Sequence, residues 1–355
     1  MLTDLIDEAR RQAEICNACR YCEGYCSVFP AMHQERAFSD GDMTQLANLC
    51  HNCRNCYHAC QYTAPHEFDL NLPKALAELR RETWQEYAWP KPVAKLFHKS
   101  GVALMLSLVV SLTLIFVAIR TIGSAGGEGG EGFYAELSHN AMVAIFLPAF
   151  LFPLFSLAIS LRRYWRATGG AGLKLSHLTG AFDSAARMKN LAGGHGDGCN
   201  YEDEDRFSQS RRVAHQFVMY GFLLCFASTS SATLMHYLLD MPAPYGPLAL
   251  PKLLGVPGGI MMTIGTVWLA RLKLKADKHL GDEEAWGGEM AFIVLLFLVA
   301  TTGLALYWLG STPLMPALLA IHLATVLSFF VLTPYTKMAH GFYRLTALVR
   351  DQANK

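Results

Sequence analysis

The chain has 355 residues, of which 52% are hydrophobic and only 17% are charged, and its formal net charge is +1. Soluble domains carry about a quarter charged residues, so this deficit favours a membrane protein. A balanced charge, with no stripe of Lys and Arg among aromatic residues, gives no reason to expect a nucleic-acid partner. Eight of the ten cysteines fall within the first 60 residues. Composition therefore divides the chain into a cysteine-rich beginning and an apolar remainder.

The beginning of the chain has no secretory signal. Residues 1–11 are mixed in charge and mostly polar, without an apolar core or a small-residue cleavage site. We therefore expect the cysteine-rich segment to stay in the reducing cytosol. There, closely spaced cysteines are metal or redox ligands more often than disulfides.

Two cysteine quartets share the spacing C-x2-C-x2-C-x3-C. In two-cluster bacterial ferredoxins, three thiolates at this spacing bind one [4Fe–4S] cluster and the fourth reaches the other cluster. Zinc is the alternative, because paired C-x2-C units also bind it, but zinc would leave half of each quartet unused. The spacing thus predicts one cluster on Cys16, Cys19, Cys22 and Cys60, and another on Cys50, Cys53, Cys56 and Cys26.

Helices are expected beside the second quartet. Residues 43–49 run helically into it, and a second helix is predicted over 73–87 with Leu76, Leu79 and Trp84 facing inward. In the small ferredoxins a proline follows the fourth cysteine, and neither quartet here has one. The module therefore resembles the helical type of two-cluster ferredoxin domain.

Six apolar stretches after residue 100 contain no Asp, Glu, Lys or Arg. Each is about long enough to cross a hydrocarbon core of ~30 Å as a helix. The fourth has Gly and Pro crowding its start, so a re-entrant segment is an alternative there, and a large soluble helical protein is the alternative for the whole. The predicted spans are residues 102–119, 141–161, 213–239, 253–270, 291–310 and 314–333.

The basic residues indicate how these spans are oriented. With six crossings, one side of the membrane receives 28 of the 30 Lys and Arg residues, on segments 1–101, 162–212, 271–290 and 334–355. Short loops rich in Lys and Arg stay in the cytoplasm, and a soluble protein would not sort its charges in this way. We expect a multi-pass protein of the inner membrane, with both termini and the clusters cytoplasmic. Its predicted domains are residues 1–90 and 91–355.

Four histidines on the third and sixth spans are candidate haem ligands, because ionisable residues inside a membrane are costly and mark functional sites. Helical spacing brings His215 and His236 near one face of the third span, and His322 and His340 onto one face of the sixth. Facing imidazoles in a helix bundle hold b-type haem iron. The two helices run antiparallel, so we expect one or two haems, with His215 paired to His340 and His236 paired to His322.

Two features leave this pairing open. His139, at the outer start of the second span, is a rival outer ligand, and Pro334 interrupts the helical phase between His322 and His340. A glycine-rich stretch with a lone cysteine, residues 193–201, is interpreted as a flexible linker; a docking surface or a lid near the haem are its alternatives. It does not bind phosphate as a P-loop does, because no Lys-Ser/Thr follows it.

Several segments together resemble the tricarballylate/citrate utilisation protein B family over nearly the whole chain. They are the double quartet, the Pro-His-Glu-Phe segment 65–68, the glycine-rich stretch 193–201 and residues 220–233. The resemblance implies a membrane partner of a soluble FAD-dependent tricarballylate dehydrogenase, which reoxidises the flavin and passes electrons through iron–sulfur clusters and haem b to quinone. The membrane half also resembles the γ subunit of respiratory nitrate reductases, although the second ligand about ten residues after His215 would fall near Cys225.

The sequence therefore predicts an all-α protein, with a helical two-cluster ferredoxin-like domain followed by a six-span bundle. Its expected role is electron transfer from a flavoprotein dehydrogenase to membrane quinone. A passive anchor with clusters but no haem is one alternative. A transporter is another, although it has no use for eight cluster-type cysteines and should show related halves.

Overall fold

The computed structural model describes residues 2–122, 132–170, 172–194, 196–202 and 206–354. In these residues the regular structure is helical, apart from one isolated bridge between Cys199 and Ser208. Short 3-10 turns occur at Gly132–Ala135, Lys189–Leu191, Lys278–Leu280 and Thr333–Tyr335. The α-helices are α1 (Leu2–Cys19), α2 (Val28–His33), α3 (Asp40–Leu49), α4 (Asn55–His58), α5 (Leu72–Tyr87), α6 (Lys91–Ile122), α7 (His139–Ala167), α8 (Leu175–Arg187), α9 (Ser210–Leu238), α10 (Leu250–Lys275), α11 (Ala285–Leu309), α12 (Met315–Leu332) and α13 (Ala339–Ala353).

Helix α3 confirms the predicted helix before the second quartet, and a capping box fixes its start. The Ser39 hydroxyl accepts a hydrogen bond from the Asp42 amide at 3.2 Å, and the Asp42 carboxylate accepts one from the Ser39 amide at 3.1 Å. Two amides that lack partners inside the helix are satisfied in this way. The helix ends at Leu49, so the second quartet begins where the helix stops.

Helix α5 confirms the helix predicted over residues 73–87. The Asn71 side chain caps it by accepting the Lys74 amide at 3.2 Å, and a proline occupies its first turn. Leu76 and Leu79 are buried, as predicted. Trp84 packs against the same core, so this helix supports the cysteines from one side.

The cysteine-bearing region, residues 1–90, shares one hydrophobic core with α8, α13 and the end of α7. Buried polar contacts cross this boundary. The Gln45 amide donates to the Ala347 carbonyl at 2.8 Å and accepts from the Tyr164 hydroxyl at 2.6 Å. Arg350 forms an ion pair with Asp42 at 3.0 Å. The cysteine-bearing region is therefore fixed against one end of the helix bundle.

We use hairpin for two successive helices that carry the chain away from the cysteine-bearing region and back to it, and α6 and α7 are the first such pair. The chain departs after α5, and Arg163, near the end of α7, donates to the carbonyls of Tyr87 and Ala88, each at 3.3 Å. A chain that returns to its starting point has made two passes of the bundle.

The next two helix pairs, α9 with α10 and α11 with α12, also begin and end at the cysteine-bearing region. Arg211, at the start of α9, donates to the Asn52 carbonyl at 2.7 Å, and Arg54 donates to the Asp277 carbonyl, just beyond α10, at 2.6 Å. Helix α11 begins beside Arg81, to which Glu284 is paired, and the turn after α12 is held by a hydrogen bond from Tyr335 to the Trp89 carbonyl. Three hairpins thus begin and end against the cysteine-bearing region.

Five helices are long and apolar enough to cross a membrane: α7, α9, α10, α11 and the segment Met315–Tyr335 that contains α12. The first predicted span lies on α6, whose apolar part, Gly101–Val117, is shorter. Large apolar side chains stay exposed on the outer faces of the bundle, including Leu114 at 63% and Phe155 at 59%. An apolar belt of this kind fits contact with lipid.

The fourth predicted span is one continuous helix, α10, so the re-entrant alternative does not hold. Its glycines serve a close approach to α9. A Cβ atom on Gly258 would lie 2.8 Å from the Leu224 Cβ, and one on Gly265 would lie 2.8 Å from the Val218 nitrogen. Small residues at such a crossing let two backbones pack directly in a membrane.

Candidate functional site

Four cysteines gather near the outer surface of the cysteine-bearing region. The thiol of Cys16 is buried, which raises its pKa to about 12, and it interacts electrostatically with three other thiols. A small cavity of about 30 Å³ lies at this position. We call these residues the first cysteine group: Cys16, Cys19, Cys22 and Cys60.

The other four cysteines form a second group deeper in the fold. Burial raises the pKa of the Cys26 thiol, and the nearby thiols of Cys53 and Cys50 add to the effect. The Cys56 thiol interacts with the same three, and also with Cys22 of the first group. The fourth cysteine of each quartet therefore lies with the first three of the other quartet, which is the arrangement that the spacing predicts. The second cysteine group is Cys26, Cys50, Cys53 and Cys56.

Each group holds four thiols, a set of donors that both zinc and an iron–sulfur cluster accept. Among the residues with described positions, no three His, Cys, Asp or Glu side chains converge tightly enough to hold one metal ion. A structural zinc needs four donors around one point. An iron–sulfur cluster spreads its four thiolates over separate iron atoms. The two groups fit this second requirement.

The glycine-rich stretch 193–201 covers the second cysteine group, so its interpretation as a flexible linker is wrong. Apart from residue 195, which lies outside the described residues, it packs closely on the quartets. The Asn55 side chain donates to the Gly198 carbonyl at 3.0 Å and accepts from the Asn200 amide at 2.9 Å. Cys199 is buried beside Cys53. The lone cysteine in this stretch, Cys199, was the feature of the sequence that could have indicated packing against the quartets.

Glycine is required where this stretch turns back. Gly198 has a φ of +107°, a conformation that strains any residue with a Cβ atom. A Cβ there would also lie 2.9 Å from the Gln209 nitrogen. The glycines thus allow the stretch to lie against its neighbours.

A cavity of about 410 Å³ separates the second cysteine group from the membrane helices. Its wall includes His51, which stands between two cysteines of the second quartet, and it includes His215 and His340. The same wall carries many basic side chains from both halves of the chain. These are Arg54, Arg80, Arg81, Arg211, Lys273, Lys278, Lys337 and Arg344.

The structure brings together His215 of α9 and His340 of α13, as the sequence predicted for the cytoplasmic pair. Their ring centroids lie 5.8 Å apart, and the ring planes are nearly perpendicular at 84°. Bonds between a metal and an imidazole nitrogen are about 2 Å long. Two such bonds, plus the distance from each nitrogen to the centre of its ring, add up to a centroid separation of about 6 Å. The centroid separation is thus close to that of two imidazoles bound to one metal.

The protonation of His340 suits a ligand. Its Nδ1 donates a hydrogen bond to the Lys337 carbonyl, so Nε2 carries the lone pair. Burial, with the nearby Arg344 charge, holds the pKa of His340 well below its usual range, and the ring is therefore neutral near pH 7. The Nδ1 atom of His215 is buried with no hydrogen-bond partner among the described residues.

The outer pairing differs from the prediction, because His236 meets His139 rather than His322. The two rings stack with centroids 4.2 Å apart at 22°, and His139 Nε2 bonds the Tyr237 hydroxyl at 2.9 Å. Rings in direct stacking contact leave no room for an atom between them. The rival ligand His139 is thus the true neighbour of His236.

His322 is directed toward α11 instead. The Thr302 hydroxyl donates to the Leu298 carbonyl at 2.6 Å, so at 3.0 Å it accepts from His322 Nδ1. Gly303 makes room for the ring, since a Cβ there would lie 3.0 Å from His322 Cε1. The described contacts therefore hold His322 by a threonine and give it no second imidazole.

Comparison with protein families accounts for both halves of this arrangement. Residues 9–86 match the family model described as the citrate utilization protein B Fer4-like domain, and residues 90–355 match the model described as citrate utilization protein B. The chain belongs to the citrate utilization protein B family. The resemblance stated from the sequence is thereby confirmed.

A curated relative supports the same assignment. Citrate utilization protein B of Escherichia coli is 43% identical over 352 residues, which cover 99% of this chain and 93% of that protein. No solved structure matches the chain. In this citrate utilization protein B family member, the Fer4-like match contains both quartets and the second match contains all the helices that could span a membrane.

Proposed function

We propose that the chain carries electrons from a reduced FAD-dependent dehydrogenase, through two [4Fe–4S] clusters and haem b, to a membrane quinone. The observation that supports this most directly is the cavity shared by the two kinds of site. His51 of the second quartet lines it on one side, and the pair His215 and His340 lines it on another. A haem held by this pair would stand between the second cluster and the membrane helices.

The residues of the inner pair fit haem b. His215 and His340 would hold the haem iron. Arginines of the cavity wall would pair with the haem carboxylates, because Lys273 and Lys337 are already paired with Glu289. Haem b, when bound, supplies one-electron chemistry that matches an iron–sulfur donor. The protein's own contribution is to hold the His340 imidazole neutral and oriented, and to place basic side chains beside the site.

The donor is inferred from family membership. The Escherichia coli relative is named for citrate utilization, and we propose that the partner oxidises a citrate- or tricarballylate-type acid at its own flavin. One-electron clusters on a soluble face can empty a two-electron flavin in two steps. The chain itself needs no site for the acid.

We further propose that the protein spans the inner membrane six times, with its clusters and both termini cytoplasmic. The three hairpins support an even number of passes, and α6 supplies the sixth span. The side that holds 28 of the 30 Lys and Arg residues is the side to which the cysteine-bearing region is fixed.

The test is a reduced-minus-oxidised spectrum of the purified protein, combined with iron, sulfide and zinc analysis. We expect a b-type α-band on reduction with dithionite, with about eight sulfides per chain for two [4Fe–4S] clusters. Cluster bleaching without an α-band would leave only the passive anchor. Stoichiometric zinc without sulfide would overturn the proposal as a whole.

A further inference from the structure

The two cysteine groups have different access to solvent. Cys19 of the first group is exposed, and Tyr21 beside it is 69% exposed. The second group lies under the glycine-rich stretch, with Cys53 buried. A soluble protein can therefore come close to the first group and cannot come equally close to the second.

The two groups also differ in the charges around them. Two arginines donate to the carbonyl of Cys50 in the second group, the buried Arg80 at 2.8 Å and the half-buried Arg344 at 2.9 Å. Arg211 and Arg54 hold the neighbouring Asn52, through its carbonyl at 2.7 Å and its side chain at 3.2 Å. Four guanidinium groups from four separate segments thus converge on this group.

The first group has no such set of buried cations among the residues that the structure describes. Arg20, which follows Cys19, is exposed and donates to the Asn17 carbonyl at 3.1 Å. Glu23 lies in the same loop, paired with His33 at 3.1 Å. An exposed charge is weakened by water and salt, whereas a buried one acts at nearly full strength.

We propose that electrons enter this protein at the first cysteine group and leave it from the second, with Arg80 and Arg344 as positioning residues that raise the second cluster's midpoint potential. Reduction adds a negative charge to a cluster, and nearby buried cations stabilise that charge. The partner is a flavoprotein that docks at the exposed edge containing Cys19 and Tyr21. This order rests on the proposed function and extends it.

The electron order is tested by removing one cluster at a time. The probe is a tricarballylate dehydrogenase reduced anaerobically with tricarballylate, with cluster signals followed by electron paramagnetic resonance and haem by absorbance. In Cys53→Ser we expect the first cluster to become reduced while the haem stays oxidised. In Cys19→Ser we expect neither the second cluster nor the haem to be reduced by the flavoprotein, although dithionite reduces both.

The outcomes separate the two proposals. If the flavoprotein reduces the second cluster in Cys19→Ser as fast as in the unmodified protein, the order is wrong while the function stands. If it reduces nothing in the unmodified protein although dithionite does, the proposed donor is wrong.

A second measurement does not need a cluster to be lost. In a redox titration of the purified protein, Arg80→Gln should lower the midpoint potential of the second cluster by about 59 mV, which is a tenfold change in a one-electron equilibrium. The midpoint potential of the first cluster should not change. Arg80→Lys keeps the positive charge, so the second cluster should retain most of its original midpoint potential in that variant. Equal shifts in both clusters, or no shift in either, would remove the assigned role of the arginines.

Discussion

The two histidine pairs lie at opposite ends of α9 and differ in what separates their rings. His215 and His340 stand 5.8 Å apart and nearly perpendicular, at the wall of a large cavity. His139 and His236 stack at 4.2 Å and hydrogen bond to a tyrosine. Both ends have two histidines, but only the inner rings are spaced as two imidazoles on one metal would be. We propose that the inner pair holds the haem, and the outer pair serves as its comparison.

The largest expected effect comes from deleting one imidazole at each end. His340→Ala and His215→Ala should each lose nearly all haem b, because a single axial ligand in an open cavity does not retain it. His139→Ala should keep the haem content of the unmodified protein. The pyridine haemochrome assay per mole of purified protein measures this. If His139→Ala lost as much haem as the two inner variants, the proposed difference between the two histidine pairs would be wrong.

A smaller effect is expected from the contact that holds α9 in place. Gly265 lies against Val218, one turn from His215, and a Cβ atom there would be 2.8 Å from the Val218 nitrogen. Gly265→Ala should push α9 away, cost about 1–3 kcal/mol of stability and lower the haem content in part. Thermal unfolding in detergent and the haem assay report the two quantities.

The control for that variant is Gly287→Ala, at the inner end of α11. A Cβ atom there has no heavy atom within 4 Å. Alanine also favours a helix over glycine, so stability should stay the same or rise slightly. Matching losses from both variants would show that close packing at Gly265 is not the cause.

Sequence reasoning identified the elements better than their pairing. The cysteine grouping follows from local spacing, because three candidate ligands lie within one short stretch of sequence. The helices α3 and α5 follow from apolar periodicity and capping residues. The apolar spans follow from composition, although α6 is the least complete of them. Each of these features depends on residues close together in the chain.

The outer pairing differs from the prediction because His236 stacks on His139 of α7, while His322 is turned toward Thr302 of α11. Helix α12 ends at Leu332, a 3-10 turn occupies Thr333–Tyr335, and α13 begins at Ala339. His322 and His340 are therefore on two helices with separate directions. His340 reaches its partner because α13 packs against the cysteine-bearing region. Contacts of this kind join residues hundreds of positions apart, and no local pattern records them.

The glycine-rich stretch offers a further test of the inner end. Gly198 has a φ of +107° and lies on the second cysteine group. Gly198→Ala should cost more than the ~1–2 kcal/mol of backbone strain, because the added Cβ would also clash with the Ser208 carbonyl oxygen, and it should speed iron loss to a chelator. Gly172→Ala, where a Cβ meets nothing within 4 Å, is the control. Unchanged iron release would show that this stretch does not protect the cluster.

The smallest expected effect concerns His322, which hydrogen bonds to Thr302 of α11 and belongs to neither of the two pairs. Thr302→Val keeps the side-chain shape but removes the oxygen that accepts from His322 Nδ1, and one interhelical hydrogen bond in a membrane contributes about 1 kcal/mol. Thr301→Val is the matched control, because its hydroxyl bonds only to carbonyls of its own helix. We expect a small loss of thermal stability in Thr302→Val alone, with haem content unchanged in both. Loss of haem from Thr302→Val would instead show that His322 is a ligand, and a second haem would then have to be placed at the outer half of the bundle.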